Sequence, residues 1–309
     1  MGEILEGTMP ATLVIQSNAP VPTWFRVGGS ADRLVRPTTL EQLAECVRMD
    51  PELKVLGDGA NLLVDDDGVS ELVVELSEPY FRRIELDAAR GTAVVGAGAN
   101  LPKLINACVR EGLSGLEGLG GIPATIGGAA IMNAGGAFGQ FSDTVVRVHA
   151  LDRHARQLVL ERSSIAYSYR HSGLSDLLIT AVELRLIQAD PRQLRARHLE
   201  VMEYKKRTQP MAENSAGCCF KNPMLGLDLE QIGARGQRVS AGMLIDKAGC
   251  LGLTSGGAEV SRVHGNFLTA GRGARARDVI DLMKEVERRV YDRFGVRLER
   301  EVVVWERTP

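Results

Sequence analysis

LSGLEGLGGIPATIGGAAIMNAGGAFGQFSD, residues 113 to 143, is the stretch on which the reading of this 309-residue chain turns. No charged residue falls between Glu117 and Asp143, and ten glycines lie from Gly112 to Gly139 without the triplet spacing of a collagen. Backbone so poor in side chains can come close to a large flat or phosphorylated ligand and offer it the N–H groups of successive turns. Three plainer readings compete. A membrane span would be poorly driven, because Pro123, Thr125, Asn133 and Gln140 sit among the glycines and few residues are large and apolar. A flexible linker would lack the apolar anchors Ile122, Ile126, Ile131 and Met132. A tightly packed structural corner stays open as an alternative.

Upstream, LKVLGDGANLLV (53–64) reads as strand, glycine turn, strand, with Gly57, Asp58, Gly59, Ala60 and Asn61 in a tight loop whose amides could hold a phosphate. The same phrase, Gly-x-Gly-Ala-Asn-Leu, returns at 96–101. Both copies invite a dinucleotide-fold reading, but each has leucine where that fingerprint needs its third small residue. The second copy starts a helix instead. Asn100 is a suitable N-cap, and Leu101, Leu104, Ile105, Cys108 and Val109 recur at helical spacing before Gly112. Cys108 is then a core residue, and Cys46 is read the same way. Earlier still, Thr39 with Gln42 forms a capping box for a helix bearing Leu40, Leu43 and Val47, and Gly28 and Gly29 break the strand-like run PTWFRVGGSADRLVRP.

Downstream, VVRVHALD and RQLVLER predict a hairpin, and the aromatic and basic cluster Tyr167, Tyr169, Arg170, His171 precedes a clear strand. Pro191 opens a basic helix that ends by Pro210, and a domain boundary is expected at this stretch. In ENSAGCCFKNP a glycine-containing turn packs Cys218 and Cys219 with Lys221 and Asn222, so either a reactive thiol or two buried structural cysteines fits. Val279, Met283, Val286 and Val290 stripe a long helix ending at Gly295. The closing VRLEREVVVW alternates, with Val296, Leu298, Val302 and Val304 inward, so periodicity alone leaves Glu301 in solvent.

At this length two domains, or one with a substantial second lobe, are expected. The net charge of -2 gives no compositional case for nucleic acid or an acidic membrane as partner. Five cysteines without a CxxC pair or metal-ligand spacing argue against a disulfide framework or a metal site, and imply a reducing compartment. The first residues, MGEILEGTMP, lack the basic and apolar regions of an export signal, so a cytoplasmic protein is expected.

Taken together and in order, WFRVGGSA, VLGDGANLLV, GLEGLGGIPATIGGAAIMNAGG, YSYRHS, SAGCCFKNP, the block from AGMLID to VHGNF, and LEREV resemble the bacterial UDP-N-acetylenolpyruvoylglucosamine reductases over nearly the whole chain. The resemblance implies an α+β protein: an FAD-binding domain of two α+β subdomains, as in vanillyl-alcohol-type oxidases, followed by an α+β substrate-binding domain. Boundaries follow at 1–190 (subdomains about 1–70 and 71–190) and 191–309. It implies FAD as cofactor and NADPH as co-substrate. The enolpyruvyl group of UDP-N-acetylglucosamine enolpyruvate would be reduced to UDP-N-acetylmuramate for peptidoglycan, with no nucleic-acid or membrane partner.

Carried over by position, the resemblance puts the FAD diphosphate against Gly57, Asp58, Gly59, Ala60, Asn61 and Leu62, and further cofactor contacts at Gly121, Ile122, Pro123, Thr125, Ile126, Gly127, Gly128 and Asn133. Arg170 and Glu301 match the active-site arginine and glutamate. Cys218 stands where many members carry the proton-donating serine. Lys206 and Asn222 match substrate contacts. The residue types suit the chemistry: a guanidinium stabilises charge developing on the enol and its carboxylate, and a thiol with a reference pKa of about 8.5 stays protonated enough at neutral pH to give C2 its proton. Besides Cys218, Phe138 replaces a frequent tyrosine and Ala270 a frequent asparagine, and the short chain between Arg170 and Cys218 resembles the subtype lacking an extra tyrosine-bearing loop, so an open site is expected. A flavin oxidase of the same fold and a flavin- or sugar-nucleotide-binding protein without turnover are the alternatives.

Overall fold

In the computed structural model, which describes residues 13–307, β1 (Ile15–Pro20) and β2 (Ser30–Val35) form an antiparallel pair. The arm MGEILEGTMP, read above for an export signal, lies outside the described residues. The connection turns at Gly28, φ 109°, where a Cβ would lie 2.3 Å from the Val64 carbonyl oxygen, so WFRVGG breaks where glycine is required. α1 (Leu40–Met49) starts as its caps dictate. The Thr39 hydroxyl accepts from the Gln42 N–H at 3.3 Å, and the Gln42 side-chain oxygen accepts from the Thr38 N–H at 2.7 Å. β3 (Lys54–Leu56), β4 (Leu62–Val64) and β5 (Val69–Glu75) follow, with the expected loop between β3 and β4. The first sheet runs β1-β2-β5-β3, with β5 parallel to both neighbours.

After the short helix α2 (Pro79–Arg82), β6 (Ile84–Asp87) and β7 (Thr92–Gly96) make a hairpin. Asn100 then caps α3 (Leu101–Arg110) by accepting from the Lys103 N–H at 3.1 Å. β8 (Leu113–Ser114) leads into the glycine stretch, which divides into a 3-10 turn at Glu117–Leu119, α4 (Ile126–Met132), and the two-residue strands β9 (Gly135–Gly136) and β10 (Gly139–Gln140). β11 (Val145–Leu151) and β12 (Gln157–Glu161) are the predicted hairpin, β13 (Leu178–Arg185) is the predicted strand, and β14 (Ile187–Gln188) pairs with β8. The second sheet runs β12-β11-β13-β7-β6, antiparallel throughout. The second Gly-x-Gly-Ala-Asn-Leu copy therefore leaves an antiparallel strand, which excludes a βαβ dinucleotide unit there. One core joins α1, α3, α4 and this sheet, with Cys46 and Cys108 inside it. No helix among the described residues is long and apolar enough to cross a membrane.

α5 (Pro191–Thr208), capped by Asp190, packs on the Glu117–Leu119 turn and on α3. β13, β14 and α5 take up most of the chain between Arg170 and Cys218. The C-terminal lobe consists of α6 (Ala241–Lys247), an antiparallel sheet of β15 (Thr254–Ser255), β16 (Ala258–Val260) and β17 (Leu268–Ala270), and α7 (Ala276–Phe294), whose stripe Val279, Met283, Val286 and Val290 is wholly buried. Gly295, φ 67°, ends α7 as expected.

The closing strand departs from its expected form. Only β18 (Val303–Trp305) is strand; it lies parallel to β4 and buries Trp305 in the first sheet's core. The residues before it are irregular because Glu299 and Glu301 hydrogen-bond to the 219–221 segment of the C-terminal lobe instead. Glu301 is accordingly not solvated, as alternation suggested, but has only 11% of its side chain exposed.

Candidate active site

The loop after β3 and the start of α4 face each other across a cleft of about 720 Å³ including its open mouth. Gly57, Asp58, Thr125, Gly127 and Gly128 line it, all anticipated; Ser77, Arg82, Gly98 and Ile179 also line it. A Cβ on Gly57 would come within 2.8 Å of Thr125 Oγ1, and one on Gly98 within 1.7 Å of the Leu76 carbonyl oxygen, whereas one on Gly128 would meet only Thr125 Oγ1 at 3.4 Å. Two of these glycines hold the walls together and the third leaves room between them. The N–H groups of Asp58, Gly59 and Ala60 have no acceptor among the described residues and fit a phosphate. Those starting α4 are occupied: Ile126 donates to Ala99 O at 2.9 Å, Gly127 to Ala97 O at 2.8 Å, and Gly128 to Thr125 Oγ1 at 3.3 Å. Burial pushes the Asp58 carboxyl up, opposed by its hydrogen bond from Asn100 and by the Arg82 charge.

Ile131 of α4 also lines a second cleft, of about 560 Å³, together with Met132, Arg170, Lys221 and Glu301. α4 is thus a shared wall. Arg170 sits in a turn closed by Ser168 and His171, at the place where glycine is usual, with φ 54°. Holding a non-glycine residue there costs about 1–3 kcal/mol and persists only where the surroundings over-determine it. Asn133 supplies part of that support, donating from Nδ2 to Ser168 O at 2.9 Å while its Oδ1 accepts from the Ser142 N–H at 3.1 Å.

The guanidinium Nε of Arg170 lies 2.6 Å from Glu301 Oε1, yet its N–H has no aligned acceptor. Glu301 is fixed through its backbone. Its N–H donates to Cys219 O at 2.8 Å, and its carbonyl accepts from Asn61 Nδ2 at 3.0 Å, which ties it to the loop of the first cleft. Burial raises the Glu301 carboxyl above the usual range, against the charges of Arg170 and Lys221.

Cys218 forms an isolated backbone β-bridge with Phe267, and the Cys219 backbone N–H donates to Asn266 O at 2.8 Å. Cys219 is wholly buried in the C-terminal core, so Cys218 is the member of the pair that faces the site. Burial, then the Glu301 charge, push its thiol up to about 12, with Arg170, Asn266 and Lys205 opposing. It is a thiol, not a thiolate, at neutral pH. Lys205 of α5 completes the cluster. Burial, then Arg170, hold its ammonium down to about 8 while Cys218 opposes, and its stem crosses Gly121, where a Cβ would meet Lys205 Cδ at 3.1 Å.

Of the other residues named in advance, Gly59, Ala60, Asn61 and Leu62 shape the loop and the strand behind it, and Asn61 reaches Glu301. Ile126 is core, Gly121 lies beneath α5, and neither these two nor Ile122, Pro123 and Asn133 line the first cleft. Asn222 accepts the Ala241 N–H on Oδ1 at 2.9 Å. Lys206 is exposed, and the lysine brought to Arg170 and Cys218 is Lys205. A signal for this existed: Val201 is buried, and Lys205, four residues on, shares its helix face whereas Lys206 does not. Arg82 had no such signal, since a four-residue helix has no periodicity to read.

Residues 31–161 match the family model described as FAD binding domain, and residues 209–305 match that of UDP-N-acetylenolpyruvoylglucosamine reductase, C-terminal domain. The UDP-N-acetylenolpyruvoylglucosamine reductase of Desulfosudis oleivorans is 39% identical over 297 residues, covering 91% of each chain. That of Moorella thermoacetica is 37% identical over 309 residues, covering 98% of this chain and 96% of its own. The crystal structure of the reductase from Thermus caldophilus is similar with a TM-score of 0.80 at 38% identity, over 95% of this chain and 100% of that one.

Proposed function

The chain belongs to the UDP-N-acetylenolpyruvoylglucosamine reductases, and from that premise we propose roles for the residues of its two clefts. It is an FAD-dependent oxidoreductase that uses NADPH to reduce the enolpyruvyl group of UDP-N-acetylglucosamine enolpyruvate, giving UDP-N-acetylmuramate for peptidoglycan. One observation carries the assignment of roles: Arg170 and Glu301 pair in the second cleft, and Cys218 and Lys205, from two further segments, lie within electrostatic reach of Arg170.

The amides of Asp58, Gly59 and Ala60, with Arg82 across the first cleft, hold the FAD diphosphate, and the glycines of α4 let the cofactor lie close. The chemistry FAD supplies when bound is hydride transfer, from NADPH to the enol ether. As the double bond is reduced, charge gathers on C2 and the neighbouring carboxylate. Arg170, already oriented and lacking an aligned acceptor, stabilises that charge, an effect worth about 3–4 kcal/mol per donor in comparable oxyanion sites. Once the substrate carboxylate shares Arg170, Glu301 loses part of its counter-charge and takes up a proton more readily, so it can donate a hydrogen bond to the enol. Cys218 gives C2 its proton, and the thiolate left behind is stabilised by Arg170 and Lys205 until it is reprotonated. Lys205 and Asn222 bind the sugar nucleotide, Lys205 in the role first given to Lys206.

We divide the chain into a cofactor-binding part, 1–190, whose subdomains meet near residue 70, and a substrate lobe, 191–309; the two sheets and the C-terminal cluster support this, although α5 leans on the first part. NADPH and the sugar nucleotide are the partners proposed, with neither nucleic acid nor membrane, and the cytoplasm the compartment. The five unpaired thiols support a reducing one.

The test is at Cys218. Cys218→Ala is expected to slow reoxidation of the reduced enzyme by the sugar nucleotide by about 10²–10⁴-fold, while Cys218→Ser keeps appreciable activity and reduction by NADPH is unaffected in both. Equal reoxidation rates in wild type and Cys218→Ala would remove the thiol from the reaction.

A further inference from the structure

Arg170 reaches the second cleft from the cofactor-binding part, whereas Glu301 reaches it from the segment that follows α7, and Cys218, on the segment that follows α5, lies within electrostatic reach of both. Something must hold the two sides in register. The neighbour of Arg170 in its turn, Tyr169, is gripped from across the cleft: its hydroxyl accepts the Asn222 N–H at 3.2 Å, and the Arg238 guanidinium lies 4.2 Å from its ring centroid. Arg238 Nη1 in turn donates to Asn222 O at 2.7 Å. Asn222 is itself fixed to the start of α6 through its Oδ1, and it lies four residues after Cys218 on the same segment.

We infer that Arg238, Tyr169 and Asn222 form a latch between the two parts of the molecule, and that Arg238 is a positioning residue that holds the Arg170 turn against the segment bearing Cys218. Asn133 supports that turn at Ser168 from within the cofactor-binding part. The latch supplies the support from the other side. It acts at the residue next to the strained Arg170, so releasing Tyr169 lets the turn relax and moves the guanidinium relative to Glu301 and Cys218. None of the three latch residues lines the first cleft, so cofactor binding is expected to be unaffected.

The inference rests on the reductase reading above, and its test separates the two. Holoenzymes carrying Arg238→Ala, Arg238→Lys, Tyr169→Phe or Tyr169→Leu are reduced anaerobically with NADPH and then mixed with UDP-N-acetylglucosamine enolpyruvate, following the flavin absorbance in each half. Reduction is expected to stay within about twofold of wild type in all four. Reoxidation at saturating substrate is expected to fall about tenfold or more in Arg238→Ala and Tyr169→Leu, whatever the change in substrate affinity, because misplacing a reacting group costs rate. Arg238→Lys, which keeps a cation over the ring, recovers part of the rate. Tyr169→Phe, which loses one oxygen and keeps the fold, falls in between. Wild-type rates in Arg238→Ala, a defect confined to substrate affinity, or, should the larger variants fail to fold, wild-type rates in Tyr169→Phe would overturn the latch. A wild-type enzyme that the sugar nucleotide does not reoxidise would instead overturn the reading it rests on.

Discussion

Lys205 carries a pH signature that separates it from its neighbour. With its ammonium held down to about 8, it is charged at neutral pH and loses that charge as pH rises through 8. If it meets the diphosphate of the sugar nucleotide, substrate affinity falls above about pH 8, by up to about tenfold per pH unit. Lys205→Met is expected to weaken binding at pH 7 and abolish this dependence, whereas Lys206→Met keeps the wild-type profile. A wild-type KM that is flat from about pH 7 to 9.5 would exclude Lys205 from the diphosphate. At this scale the sequence motifs located Arg170, Cys218 and Glu301, but alternation placed Glu301 in solvent. Nothing local announces that residues 299–301 bond to 219–221, about a quarter of the chain away. Between Cys218 and Cys219 only the resemblance chose; the residues themselves did not show which of the two meets the core.

Elements with their own periodicity or caps were legible: α1 from Thr39, α3 from Asn100, α7 from its valine stripe, and the β11–β12 hairpin from its alternation. The glycine stretch was legible as close-approach backbone, but not in how its amides are spent, because the start of α4 gives its N–H groups to residues 97 and 99. Its glycines do different things. Gly98→Ala forces a Cβ against the Leu76 carbonyl and is expected to destabilise the apoprotein by about 1–3 kcal/mol, read as a lower denaturation midpoint. Gly128→Ala meets little protein and lies in a helix, where alanine is preferred to glycine by about 1 kcal/mol. The apoprotein is therefore expected to be at least as stable as wild type while FAD binds more weakly. Equal FAD affinity in Gly128→Ala and wild type would show that the cofactor does not approach α4 closely.

For the whole molecule, the proposed two-part division was read from the order of the motifs, whereas the closure of the fold had no such signal. β18 returns from the end of the chain to β4 over three residues in parallel register, too short a pairing to leave a pattern, and Trp305 docks in the core of the first sheet. The same return carries Glu301 past Asn61 into the second cleft. Trp305→Ala is expected to cost about 3–5 kcal/mol and to loosen Glu301 along with the sheet; an unchanged unfolding midpoint would mean that the closure carries no weight. In the proposed reading, cofactor loop, acid, arginine and carboxylate come from both ends and the middle of the chain, and act only when FAD and the sugar nucleotide occupy adjoining clefts. The visible spectrum of the purified protein, recorded anaerobically, after NADPH, and then after UDP-N-acetylglucosamine enolpyruvate, tests that directly. The account predicts an FAD spectrum that NADPH bleaches and only the sugar nucleotide restores in the absence of oxygen. A protein that neither carries nor takes up flavin, or whose bleached flavin the sugar nucleotide leaves unchanged, would contradict it.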